Sequence, residues 1–331
     1  MKNNRNYIVG VDGGGSKTEA VLADLKGKIL VRVKTGSAHP RNIGVKKALE
    51  NVALAIEKIL PKEGKILSVF LGLPAMEEEF KFKENIIKKE LLKHKRISSI
   101  FKGKVIIGSD QLAGFRSGTD EKDGLVLIAG FGSVCHGWKD KKEAMTDSCG
   151  YLSEAGSAFF VGQKVLQAVF KDLDGRGEKT LLTKLLFQKL KIKNKENLID
   201  KIYSKKPIEI IPPFSIFCDT AAKKEDKITK NILIEAGREL ALSANTMIKR
   251  LNFKNKKFPL VLIGSIFNSK IVLDTAIKGI KKFAPKVKVI RPKAEPVIGA
   301  VKLAVAEALP HLPPRPDSQD SAIEAIKDGE A

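Results

Sequence analysis

Cysteine, tryptophan and long apolar runs are all scarce in this chain. Its three cysteines, Cys135, Cys149 and Cys218, form no Cys-x-x-Cys pair and have no histidine at ligand spacing, so neither a disulfide framework nor a zinc site is encoded. All three read as buried thiols. No apolar run approaches the ~18 residues of a membrane-crossing helix. The apolar stretch Tyr7 to Val11 is cut by Asp12, too short for the core of a secretory signal. A cytoplasmic protein without a membrane partner is expected. The single tryptophan, Trp138, falls at a strand end and reads as core rather than as a stacking platform.

Acidic residues are also few beside basic ones, 38 against 60, leaving a net charge of +22. The excess is mostly lysine scattered along the chain with little interleaved aromatic residue, which is not the footprint of a nucleic-acid surface. No nucleic-acid partner is expected, whereas a basic cleft would attract a polyanionic nucleotide. With 331 residues, 43% of them hydrophobic, the chain can fill two cores.

Hydropathy then supplies the order of elements. Three short strands are predicted between residues 7 and 36, starting at Tyr7, Thr18 and Ile29 and joined by Gly13-Gly-Gly-Ser16 and Lys26-Gly27. Val45, Leu49, Val52, Ile56 and Ile59 recur at helical steps. Strand-like runs at Ile66 to Leu71 and Val105 to Ile107 flank a helical stretch ending near Leu92, giving a βαβαβ order. A near-repeat follows, Leu125-Val-Leu-Ile-Ala129 before Gly130-Phe-Gly-Ser133, which predicts two related halves. Residues 153 to 253 read as mainly helical, the longest periodic pattern running from Ile228 to Leu251, and a third strand ends at Gly264-Ser265. The strand Val287 to Ile290 precedes a last helix near Pro296 to Leu309, and a proline-rich tail after it is expected to be mobile.

The glycine turns carry the chemistry. In Asp12-Gly-Gly-Gly-Ser-Lys-Thr18 the absent side chains allow backbone N–H groups to approach an oxyanion. The turn joins strand to strand, so it is neither a Walker loop nor a Gly-x-Gly-x-x-Gly fingerprint. Gly130-Phe-Gly-Ser133 and Gly264-Ser265 repeat the arrangement after two further strands. Taken alone, the first turn also fits a plain glycine-rich hairpin, and Asp110 a helix N-cap.

The three turns, in this order, resemble the nucleotide-binding fold of actin and hexokinase. The runs Gly10-Val-Asp-Gly-Gly-Gly-Ser-Lys-Thr18, Ser109-Asp110, Leu127-Ile-Ala-Gly-Phe-Gly-Ser133, Gly156-Ser157, Asp174-Gly-Arg176 and Glu295-Pro-Val-Ile-Gly-Ala300 resemble the BadF/BadG/BcrA/BcrD ATPase family, in particular its N-acetylglucosamine kinase branch. The resemblance implies an α/β protein of two ribonuclease H-like, actin-like ATPase domains with a cleft between them. They are expected at 1-115 and at 116-311, the second with a helical insertion, before a tail at 312-331.

It further implies an ATP-dependent kinase acting on a hydroxyl of an amino sugar, with ATP and Mg²⁺ as cofactors and a possible homodimer. Asp12 would hold Mg²⁺. Gly13, Gly14, Gly15, Ser16, Lys17 and Thr18 would bind phosphate, joined by Gly130, Gly132 and Ser133 from the second half, while Gly264 and Ser265 meet the adenosine. Asp110 would be the carboxylate that accepts the sugar hydroxyl's proton, and His39, Asn42, Asp110 and Glu154 would face the sugar. The chain departs from the branch's pattern at His39, where asparagine is usual and which taken alone reads as an exposed loop residue, at Phe131, which interrupts the second turn and reads as packing under the loop, and at Glu154, which replaces an aspartate. These departures leave open a non-catalytic sugar or nucleotide sensor. An activator-type ATPase that ligates an iron-sulfur cluster through cysteines is the other alternative.

Overall fold

The computed structural model describes residues 5–74 and 84–309. The chain divides into two compact units, one formed by Met1–Glu121 with Arg291–Ala331 and the other by Lys122–Ile290. The division differs from the expected domain boundary at the C-terminal end, where the last helix belongs with the first unit. The expected mobile tail lies outside the described residues.

In the first unit, β1 (Asn6–Gly13), β2 (Thr18–Asp24), β3 (Ile29–Thr35), β4 (Lys65–Leu73) and β5 (Phe101–Ser109) form a sheet of order β3-β2-β1-β4-β5. β1, β2 and β3 are an antiparallel meander, whereas β4 and β5 run parallel to β1. Between them lie α1 (Pro40–Ile43), α2 (Val45–Ile59), α3 (Glu84–Leu92) and α4 (Lys95–Ile100), and α5 (Asp110–Gly118) follows β5.

β1 is apolar on both faces because helices cover both. Tyr7, Val9 and Val11 join the core under α2, supplied by Leu49, Val52, Ile56 and Ile59. Ile8 belongs to the opposite core, with Phe70, Ala113, Val297, Ala300 and Val301. That face is closed by the last helix, α13 (Pro296–Ala308). A Cβ on Gly10 would stand 2.6 Å from the Val301 nitrogen, so only glycine lets the helix backbone lie directly on the central strand.

The second unit repeats the plan. β6 (Gly124–Ala129), β7 (Ser133–Lys139), β8 (Lys142–Asp147), β9 (Phe258–Ile263) and β10 (Val287–Ile290) form a sheet of order β10-β9-β6-β7-β8. Read from β8, this is the order of the first sheet, with the same antiparallel meander and parallel extension. Each unit therefore has the ribonuclease H-like plan, and the expected repeat extends to topology. Between β8 and β9 come α6 (Ala158–Leu173), α7 (Leu181–Leu190), α8 (Lys195–Tyr203), α9 (Pro207–Ile210), α10 (Ile216–Lys223) and α11 (Lys227–Arg250), and α12 (Lys270–Phe283) precedes β10. The core joins β6 and β9 side chains to Val161, Val165, Leu240, Ala244 and Val272 from α6, α11 and α12.

Two side-chain expectations change. Cys149 is exposed, and only Cys135 and Cys218 are buried. Phe131, which the pattern suggested would tuck under its loop, is 41% exposed.

Candidate functional site

In the first unit the site is built at the carboxyl ends of the parallel strands. Asp12 is two residues beyond Gly10, so strand alternation places it on the α5 and α13 face. Its register partners are Glu19 on β2 and Gly72 on β4. Gly72 in turn pairs with Gly108 on β5, one residue before Ser109. A Cβ on Gly72 would lie 3.4 Å from the Asp110 Cα and 3.3 Å from the Val11 carbonyl oxygen. The missing side chain lets the first residue of α5 settle beside the end of β1.

Ser109 rather than Asp110 caps α5, accepting the Leu112 N–H at 3.2 Å. The cap reading of Asp110 is therefore displaced by one residue, and its carboxylate is not needed to start the helix. Asp110 and Asp12 sense each other. Asp12 has its pKa pushed up to about 7, first by desolvation, then by the charges of Asp110 and Glu19, against a smaller downward pull from Lys17.

The glycine hairpin closes with Gly14 N–H donating to the Lys17 carbonyl at 2.8 Å. The segment after β3 is stapled onto it, with Ala38 N–H donating to the Gly14 carbonyl at 3.1 Å and the Ser37 hydroxyl to the same oxygen at 3.3 Å. Gly15, Ser16 and Lys17 are exposed. Thr18 is fully buried and its hydroxyl donates to the Gly36 carbonyl at 2.7 Å, so this side chain braces the hairpin. Asn42 lies beside Gly15, 3.9 Å from where a Cβ would stand. His39 is half-buried, not exposed. Its Nδ1 is buried without a hydrogen-bond partner among the described residues, and burial, then Arg41, hold its pKa below the ordinary histidine value.

The remaining predicted residues gather in the second unit. Gly130 N–H donates to the Gly132 carbonyl at 2.9 Å, and the Gly130 carbonyl accepts from Ala158 at the start of α6 at 2.8 Å. Gly264 has φ 112° and a Cβ there would collide with the Ala129 carbonyl, so the third glycine turn rests directly on the second. Gly264→Ala is expected to cost roughly 2–4 kcal/mol, from a left-handed backbone and an overpacked contact together. The check is thermal unfolding, where a midpoint within a degree of the wild type would contradict this packing. Ser265 beside it is exposed.

Glu154 has a role the sequence did not signal. Its carboxylate accepts the Ser133 N–H at 3.2 Å and the Gly150 N–H at 3.1 Å, and the Ser133 hydroxyl donates to the Ala155 carbonyl at 2.8 Å. Both side chains sew the second glycine turn to the loop before α6. Asp174 and Arg176 pair with each other at 2.6 Å, which fixes the turn after α6. The predicted residues thus form two clusters, one in each unit.

Residues missed from sequence are Glu19 and Gly72. Glu19 is a buried carboxylate in a strand and gives no motif. Gly72 ends an apolar strand and could be flagged only by knowing its neighbours.

No helix among the described residues is long and apolar enough to cross a membrane. The BadF/BadG/BcrA/BcrD ATPase family model matches residues 9–304. A curated N-acetylmuramic acid/N-acetylglucosamine kinase of Clostridium acetobutylicum is 32% identical over 308 residues, covering 91% of this chain and 99% of that protein. An N-acetyl-D-glucosamine kinase of Dictyostelium discoideum is 29% identical over 321 residues, covering 91% and 98%. Among solved structures, one from Chromobacterium violaceum, provisionally assigned as an N-acetylglucosamine kinase, superposes with a TM-score of 0.70 at 19% identity over 91% of this chain and 99% of that one. A ROK family glucokinase from Streptomyces griseus in complex with glucose and AMPPNP gives a TM-score of 0.55 at 16% identity, covering 90% and 99%. These two likenesses concern the fold.

Proposed function

We propose that this chain, which belongs to the BadF/BadG/BcrA/BcrD ATPase family, is an ATP-dependent kinase that phosphorylates a hydroxyl of N-acetylglucosamine, N-acetylmuramic acid or glucosamine. One observation carries the reading: Asp110 starts its helix beside Gly72, the register partner of Asp12, so the two acids share the strand ends next to a glycine hairpin that exposes Gly15, Ser16 and Lys17. Phosphoryl transfer asks a protein chiefly for positioning and charge stabilisation, with one carboxylate to take the acceptor's proton.

In this assignment Asp110 is the base. It starts a helix that Ser109 caps, so the helix end does not depend on its carboxylate, which in this role orients a sugar hydroxyl and accepts its proton as the oxygen attacks. His39, with its unpartnered Nδ1, and Asn42 read the acceptor. The hairpin amides and Lys17 take phosphate oxygens, as do the amides of the Gly130–Ser133 turn. Gly264 and Ser265 lie against the adenosine. Glu154 acts through the turn it holds, and the sugar need not touch it.

The donor set also fits Mg²⁺. Asp12 is a desolvated carboxyl crowded by two other carboxylates, an arrangement a divalent cation would relieve. No group of three or more metal-ligating side chains occurs among the described residues, and Mg²⁺ bound to nucleotide characteristically uses one or two carboxylates, waters and phosphates. Asp12 would hold the ion, which when bound neutralises charge on the transferring phosphoryl group.

The sensor and activator alternatives gain no support from a specific contact. Burial, and then neighbouring carboxylates, hold Cys135 and Cys218 protonated, the latter pushed up to about 12, which disfavours both as thiolate ligands. The test is ADP release across a panel of amino sugars with ATP and Mg²⁺. Sugar-dependent ADP formation with at least one of the three acceptors is expected, with phosphate recovered on the sugar. ADP release indifferent to every sugar would refute the kinase reading.

A further inference from the structure

Lys17, the cation of the glycine hairpin, is held by a side chain that lies just beyond the Asp12–Thr18 run. Glu19 stands directly opposite Asp12 across the β1–β2 ladder and opposite Lys34 across β2–β3. Residues so opposed share a face of the sheet, and Glu19 is only 2% exposed there. Its carboxylate takes Lys17 Nζ at 3.0 Å, the Arg32 guanidinium, and Lys34 Nζ at 3.9 Å. Burial by itself would favour the protonated acid, but the hydrogen bonds from Arg32 and Lys17 outweigh it and keep the group below its ordinary pKa. Glu19 is thus a buried carboxylate bridging Lys17, Arg32 and Lys34, on the same face as Asp12.

The chain of charges continues outward. Arg32 also pairs with Glu295, the residue preceding α13, whose side chain makes no cap hydrogen bond of its own. Glu295 is spent on Arg32, Arg32 on Glu19, and Glu19 on Lys17, all within the first unit. At the far end Lys17 is 47% exposed. A lysine has a long flexible stem and three donor hydrogens. One directed at Glu19 fixes the stem and leaves two for an incoming anion.

We propose that Glu19 is a positioning residue for nucleotide binding: backed by Arg32 and Glu295, it holds the Lys17 ammonium in place for the phosphates of ATP. The proposal rests on the kinase reading for its setting, since it is there that Lys17 meets phosphate. Glu19 itself touches no substrate. It acts by removing the rotamer freedom that Lys17 would otherwise lose on binding, and its effect falls on the nucleotide rather than the sugar.

The experiment is a double-mutant cycle in the full-length protein, read both by ATP KM and by ADP affinity in calorimetry, the second being independent of turnover. Glu19→Gln and Lys17→Met are each expected to weaken nucleotide binding about tenfold, with sugar KM within about threefold of wild type. The combined variant is expected to lie within about twofold of Lys17→Met alone, because without the Lys17 ammonium residue 19 has no phosphate-binding group to position. Should Glu19→Gln not fold, the exposed end of the chain of charges serves instead. Glu295→Gln is expected to weaken ADP binding about two- to threefold, and to have no effect in the Lys17→Met background. Effects that multiply, or an unchanged ADP affinity in Glu19→Gln, would overturn the proposal. A wild type that binds ADP but phosphorylates no sugar would instead overturn the kinase reading and leave this cycle decisive by calorimetry.

Discussion

Asp110→Asn is expected to lower kcat by about 10²–10⁴-fold, the range that general-base removal produces, while KM for both substrates stays within a few-fold. The substitution is close to isosteric and keeps an oxygen for orienting the sugar hydroxyl, but an amide cannot accept the proton. The helix should survive, because Ser109 supplies the cap and accepts the Leu112 N–H. A change confined to kcat is what separates this role from a structural one. Far-ultraviolet circular dichroism and unfolding midpoints near those of wild type would accompany it. Retention of more than a tenth of wild-type kcat would remove Asp110 from the chemistry.

A second substitution, Asp12→Asn, is expected to act in opposite directions on turnover and stability. Turnover should fall on the order of 10³-fold, as when one preorganised electrostatic contact to the transition state is lost. Stability of the metal-free protein should rise, with a sign fixed by linkage. The Asp12 carboxyl moves from an ordinary value of 3.8 to about 7 on folding. Between those values the folded protein keeps a proton that the unfolded chain has released, so stability declines as pH rises through that window. Above about pH 7 the ionised carboxylate sits among Asp110 and Glu19 at full cost. Asparagine carries no such charge.

The unfolding midpoint of Asp12→Asn should therefore exceed that of wild type by several degrees at pH 8.5 and by progressively less at pH 7 and pH 5.5. Adding Mg²⁺ and ADP should raise the wild-type midpoint more than the variant's. A variant less stable than wild type at pH 8.5 would show that Asp12 is not held in an anionic, desolvated setting. Functional carboxylates that destabilise their own fold are a recurring compromise between stability and activity.

How much of this was legible beforehand depends on whether the signal is local. The strand opening at Tyr7, the periodic helix after Val45, the long helix now placed at Lys227–Arg250 and the strand Val287–Ile290 were all readable, because each is apolar with a clear period. The β7–β8 hairpin was not. Its strands are short on alternating apolar residues, and its two-residue turn uses Asp140 and Lys141, both at positive φ, in place of the glycine or asparagine that usually marks such a turn. Phe131 and Cys149 went astray for a related reason, since sequence gives a side chain's character but not whether a neighbour covers it.

The amino-acid order alone determined the chemistry on offer: three glycine turns following three strands, an acid at the end of the first, and an acid after β5. Glycine and strand patterns are properties of a few adjacent residues, so they survive without knowledge of the fold. Only the tertiary structure decided what those residues do together. It put Asp12, Glu19 and Asp110 on one side of one sheet, turned Thr18 inward, tied Glu154 to the amides of Ser133 and Gly150, and returned the final helix to β1 across Gly10. These arrangements are set by strand register, by loop geometry and by how closely two backbones can approach, and the longest of them, from Asp110 to β1 and from the final helix to Gly10, join segments far apart in the chain.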